Sequence, residues 1–107
     1  MSRPKAKGTA AETAVVRWLR DHGFPFAERR ALHDRDDRGD VAGIPGVTLE
    51  IKACRRLELS TWIDEASTEA TNANTSIYAV VHKRRGKGDP GDWYVTLPLA
   101  VFAELML

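Results

Sequence analysis

The sequence predicts an α/β sandwich on a mixed sheet, and three observations carry that expectation. Between Val47 and Cys54, apolar Val47, Leu49, Ile51 and Ala53 alternate with Thr48, Glu50, Lys52 and Cys54, the period of two that marks a strand. Ser76 to His82 is almost continuously apolar at Ile77, Ala79, Val80 and Val81, as in a strand covered on both faces. Helical spacing appears before the first strand and again between the two, so helices and strands interleave as in layered α/β domains.

Taken in order, residues 1–7 read as a flexible basic arm, and 8–107 as a single domain, since 107 residues leave no room for a second. Thr9 followed by Glu12 is a capping-box signature, and Ala11, Val15, Trp18 and Leu19 continue at helical spacing until Gly23. Phe24 to Glu28 reads as a short strand, Arg30 to Gly39 as a polar loop, and Asp40 to Ile44 as a brief strand turning at Pro45-Gly46. Beyond the central strand, Ser60 or Thr61 is the expected cap of a second helix carrying Trp62, Ile63, Ala66, Ala70 and Ala73, with Asn72 and Asn74 near its end. Lys83 to Gly91 is a Gly-rich basic loop and Asp92 to Leu97 a last strand. Pro98 opens a terminal helix whose Leu99, Val101, Phe102, Leu105 and Met106 are expected to close the core, or else to form a dimer contact.

The formal net charge is only +1, but its distribution is uneven. Cations concentrate in the first third and again at Lys83, Arg84, Arg85 and Lys87, while acids gather at 34–40 and 58–69. That segregation suits a protein that grips a polyanion with some surfaces and a cation with another. The one cysteine, Cys54, excludes an internal disulfide and a thiolate metal site, and its strand position suggests packing. With no hydrophobic leader and no membrane-length apolar run, a soluble, intracellular, cytoplasmic protein is expected.

Strand alternation puts Glu50 and Lys52 on one face. With a loop of Ile44 to Gly46, Asp40 falls opposite Glu50 with Cβ atoms roughly 5 Å apart. A two-residue loop places Asp40 opposite Ile51 instead, so the shared face demands an odd loop or a bulge. Two carboxylates and a lysine brought together suit phosphodiester hydrolysis. Carboxylate oxygens are ligands that Mg²⁺ prefers, the Ile51 carbonyl is a further donor, and the lysine can orient water or stabilise charge on the phosphate.

Asp40 followed by Glu50-Ile51-Lys52 in this setting resembles the PD-(D/E)XK nuclease superfamily, with Gly39 where that motif often has proline. The opening Lys7 to Glu12, running into Arg17-Trp18-Leu19 and Gly23-Phe24, is similar to archaeal-type Holliday junction resolvases, and Gly39 to Ala66 with Tyr78 to Lys83 resembles small resolvase-like nucleases of bacteriophages. The resemblance implies a restriction-endonuclease-like αβββαβ core with a mixed central sheet flanked by helices, plus a C-terminal strand and helix. It implies an Mg²⁺- or Mn²⁺-dependent homodimer acting in recombination or repair, each subunit cutting one strand of a four-way DNA junction, and phage or bacterial origin. It also makes Glu12 a candidate ligand beside Asp40, Glu50 and Ile51, with Asp40, Glu50, Lys52 and Glu12 as the catalytic set.

Expected phosphate contacts are Arg29, Arg30, Lys83, Arg84, Arg85 and Lys87, with Lys5 and Lys7 on the arm. The acids Asp34, Asp36 and Asp37, and His33, read as solvated loop residues. Trp18 and Trp62 suit helix core faces, and Trp93-Tyr94 suits sheet packing rather than base stacking. Three other readings stay open: a different PD-(D/E)XK nuclease (nicking, repair or restriction-like), a non-cleaving DNA-binding module of the same fold, and a small α/β protein with charged strands and no nucleic-acid role.

Overall fold

The protein's structure, a computed structural model, describes residues 3–30 and 37–107, with side chains from Gly8 onward. Helix α1 spans Arg3–Asp21 and so begins well before Thr9. Thr9 and Glu12 are interior helical residues rather than a capping box. The reason lies in the preceding residues: Pro4 is tolerated in a first turn, and Lys5, Ala6 and Lys7 are good helix formers, so the helix extends back through the expected arm. The side chains of Lys5 and Lys7 lie outside the described residues. At the other end Phe24 N–H donates to Leu19 O at 2.9 Å, around Gly23, closing the helix as expected.

The expected strand at Phe24 to Glu28 shrinks to β1 (Glu28–Arg29), which pairs antiparallel with β2 (Val41–Ala42). Pro25 has no N–H to give a ladder, and the chain turns there instead, Ala27 N–H reaching Phe24 O at 3.1 Å. The main sheet has the order β3-β4-β5, with β3 (Val47–Lys52) parallel to β4 (Ile77–His82) and β4 antiparallel to β5 (Tyr94–Thr96). Helix α2 (Leu59–Ala73) is the crossover that parallel β3 and β4 require. The sheet is therefore mixed and flanked by helices, while β1 and β2 form a separate two-stranded piece rather than its continuation.

Neither Ser60 nor Thr61 caps α2; both sit inside its first turn, and Glu58 occupies the cap without a side-chain bond. Asn74 ends the helix in the left-handed region at φ 56°, as its position suggested. Two apolar layers sandwich the sheet. On one face Ala11, Val15 and Val16 of α1 pack with Ile51, Val81 and Trp93, joined by Leu49 and Ala53. On the other, Trp62 and Ala66 of α2 pack on Val80. The opposite facings of Ile51 and Glu50 follow from the alternation in β3. That strand stops at Lys52, so Cys54 is exposed rather than packed. Trp62 is buried, Trp18 half-buried.

Helix α3 (Leu99–Met106) departs most from expectation. Val101 is buried, but Leu99, Phe102, Leu105 and Met106 are 81%, 46%, 56% and 69% exposed. The two layers are already filled by α1 and α2, so a single side chain completes the contact. No helix among the described residues is long and apolar enough to cross a membrane.

Candidate active site

Strand β3 carries Glu50, 6% exposed, and half-buried Lys52 on the face that looks toward α2. Asp40 stands one residue before β2. The turn into β3 is the two-residue kind, with Val47 N–H donating to Ile44 O at 3.2 Å. In a regular hairpin that would have set Asp40 opposite Ile51, but the pairing is broken. Asp40 N–H donates to Leu49 O at 2.9 Å, while its carbonyl accepts from Arg30 N–H at 3.0 Å. Its carboxylate Oδ2 accepts from Ile51 N–H at 2.7 Å, replacing a ladder bond. The irregularity thus supplies what the register alone could not, and the Asp40 and Glu50 carboxyls hydrogen-bond to each other.

Glycine makes this entry possible. Gly39 has φ +97°, a conformation closed to proline and unfavourable for any residue with a side chain. A Cβ there would lie 2.9 Å from Thr48 Cγ2 and 3.0 Å from Leu49 O. Gly39→Ala is expected to lower unfolding free energy by about 1–3 kcal/mol in denaturant titration. Unchanged stability would mean that the backbone there relaxes freely.

Glu12, released from capping, is nearly buried, and its Oε1 accepts from Arg29 Nε at 3.0 Å. Burial and the Asp40 charge raise its pKa, against the hydrogen bond and charge of Arg29. Sequence reasoning missed Glu69. It is 3% exposed, and its Oε1 has no hydrogen-bond partner. The signal was available: 62, 66, 69, 70 and 73 form one helical stripe, so a glutamate at 69 interrupts an apolar face. Carboxylate oxygens of Glu50, Glu65 and Glu69 lie within 4.8 Å of one another. Asp37, expected to be a solvated loop acid, is exposed but hydrogen-bonds to Glu69.

Crowding of buried acids leaves its mark on their protonation. Asp40 is pushed up to about 8, by burial first and then by the hydrogen bond and charge of Glu50. Glu50 rises to about 7, chiefly by burial, with the Glu69 charge adding and the hydrogen bond from Asp40 opposing. Glu69 rises to about 8, again chiefly by burial, with Asp37 and Asp40 adding. Lys52 lies 3.6 Å from Glu50 and 3.4 Å from Glu65. Burial works against its ammonium, but the two carboxylates outweigh it and hold the pKa above the usual value.

Hard oxygen donors converging on one space, with one buried oxygen unpartnered, fit a hard divalent cation. The Ile51 carbonyl belongs to the same donor edge: the N–H and C=O of a strand residue project together, and the Ile51 N–H points to Asp40.

Of the expected phosphate contacts, Arg29 is engaged by Glu12, and Arg30 has its Nε buried without a hydrogen-bond partner. Lys83, Arg85 and Lys87 are exposed and Arg84 is half-buried. Lys83 Nζ sits 5.8 Å from the Trp93 ring centre and the Arg84 guanidinium 5.4 Å from that of Tyr94. His33, Asp34 and Asp36 lie outside the described residues. No family model, curated protein or solved structure matches the chain.

Proposed function

We propose that the chain is a divalent-cation-dependent, structure-selective DNA endonuclease of the PD-(D/E)XK type, and specifically a Holliday junction resolvase. The observation that carries this reading is the meeting of Asp40, Glu50 and Lys52 at one end of β3, beside buried Glu12 and Glu69. Asp40, Glu50, the Ile51 carbonyl and Glu12 would hold Mg²⁺ or Mn²⁺, with Glu69 and Glu65 adding carboxylates next to Glu50. When bound, such a cation acidifies water and neutralises charge on a phosphate.

The side chains divide the remaining work. Lys52 has its pKa raised, so it stays an ammonium at neutral pH and acts as a donor to phosphate oxygen or to the attacking water, not as a base. Glu50 and Glu65 fix the end of its flexible stem. Arg29 orients Glu12.

A homodimer suits a two-fold junction, and the apolar surface left open on α3 supports it. Phe102→Glu with Leu105→Glu is expected to halve the mass measured by light scattering. A wild type that is monomeric at all concentrations would remove the dimer.

The deciding experiment compares cleavage of a labelled four-way junction and a matched linear duplex, with Mg²⁺ or chelator, by wild type and Glu50→Gln. Paired symmetric cuts in the junction alone, lost with chelator and in the variant, are expected. Cutting of both substrates would leave a nuclease without junction selectivity. Tight binding without cutting under either metal would leave only a DNA-binding module.

A further inference from the structure

Strands β3 and β4 run parallel, and a cavity of about 510 Å³ opens where both end, between the chain leaving Lys52 and the chain leaving His82. Carboxyl ends of parallel strands are where α/β folds collect ligands, because the loops diverge there. The volume falls in the range of small-molecule sites, about 300–1,000 Å³. Its lining combines four cations, Arg55, Lys83, Arg84 and Arg85, with Tyr94 and Leu57, and contains no Asp or Glu. None of the four cations is ion-paired to an acid among the described residues. We propose that this pocket binds one unstacked nucleotide of the DNA, its base on the Tyr94–Arg84 platform and its phosphate between Arg55 and Arg85.

The platform is built for stacking. Alternation in and before β5 sends Trp93 into the core and leaves Tyr94 on the other face, 50% exposed. The Tyr94 ring meets His82 at 5.8 Å and a tilt of 52°, and His82 in turn meets Trp62 at 5.7 Å and 51°, so one side of the ring has an aromatic neighbour. Over it lies the Arg84 guanidinium, whose flat face accepts a base as readily as an aromatic ring does. Exposed Leu57 offers an apolar surface on the lining.

Position ties the pocket to the site above. Ala53 to Arg55 follow Lys52 directly, at most about 10 Å along the chain at roughly 3.3 Å per residue. A DNA strand whose phosphate lies against Lys52 can therefore place a neighbouring nucleotide in the pocket. Bases inside a duplex are stacked and paired, and cannot enter without an unstacking cost. Branch points and single strands supply such a base free of that cost, so the pocket would favour interrupted DNA. This inference rests on the reading of the chain as a DNA-acting protein.

The test measures binding in chelator, where no cleavage occurs, by fluorescence anisotropy with a short labelled oligothymidylate and an abasic strand of equal length. Wild type is expected to prefer the thymidylate by about 5- to 150-fold, the worth of one stacked base. Tyr94→Ala should abolish that preference and Tyr94→Phe keep it, while Arg85→Ala should weaken both strands equally and flatten the salt dependence. Equal affinity for the two strands, or a preference that survives Tyr94→Ala, would overturn the proposal, as would no binding of either. Junction cleavage by a wild type without base preference would remove the pocket and leave the nuclease. Base preference in a wild type that never cuts would do the reverse.

Discussion

On the nuclease reading proposed above, replacing Lys52 by Met is expected to slow DNA cleavage by about 10²–10³-fold, the usual cost of removing one preorganised donor from a site of developing negative charge. The geometry makes this loss specific. Lys52 Nζ is held between Glu50 and Glu65 at 3.6 and 3.4 Å, and methionine keeps the stem while deleting the ammonium. The main-chain anchor of Asp40, the Ile51 N–H, is untouched, while Glu50 beside it loses one ion-pair partner. Cation affinity should change far less than the rate, since the positive charge that repelled a cation next to Glu50 also held the Glu50 pKa down against proton competition. Single-turnover cleavage with Mn²⁺ titrated by calorimetry separates the two effects. A variant that cuts within a few-fold of wild type would show that Lys52 is only a structural ion-pair partner. Equal losses of rate and of Mn²⁺ binding would instead point to a distorted site.

The part of this arrangement that sequence could give was the part written in local periodicity. Alternation in Val47 to Lys52 put Glu50 and Lys52 on one face and Leu49 and Ile51 on the other, and the folded strand keeps that division. What local pattern could not give was the irregular backbone before it. The placement of Asp40 depends on Gly39 at φ +97° and on a carboxylate that takes the place of a main-chain acceptor, neither of which follows an alternation rule. Glu12 shows a different failure. Its spacing from Thr9 suggested a cap, but that inference assumed where the helix began, and favourable residues upstream moved the start to Arg3. Glu69 was legible as a break in an apolar stripe, yet its partners lie on β3 and in the loop at Asp37, far along the chain. Helix α3 misled because an apolar composition says that a face needs cover, not that the same chain supplies it.

Metal-free protein is expected to lose thermal stability as pH rises from about 4 to about 8. The sign follows from proton counting. In the folded chain Asp40, Glu50 and Glu69 titrate near 8, 7 and 8, whereas their ordinary values are 3.8, 4.5 and 4.5. Between those limits these three carboxyls hold more protons in the folded state than in the unfolded one, so their titration favours unfolding as pH rises and outweighs His82, whose pKa burial lowers and which acts in the opposite sense. The contribution is fully present below the ordinary carboxyl range and gone once pH passes the raised values. A fall in melting temperature of at least about 4 °C across this window is expected, the change that one kcal/mol gives in a domain of this size. Glu69→Gln should flatten the curve and raise the melting temperature at pH 8, because its carboxyl is buried with one oxygen unpartnered. Saturating Mn²⁺ should reverse the slope: a cation competes with those protons for the same oxygens, so its stabilisation grows as they leave. Scanning calorimetry of wild type and Glu69→Gln, in chelator and in Mn²⁺, reads all four curves. A flat curve in chelator would mean that the acids are better solvated than their burial implies. A falling curve unchanged by Mn²⁺ would sink the cation site while leaving the buried acid cluster intact.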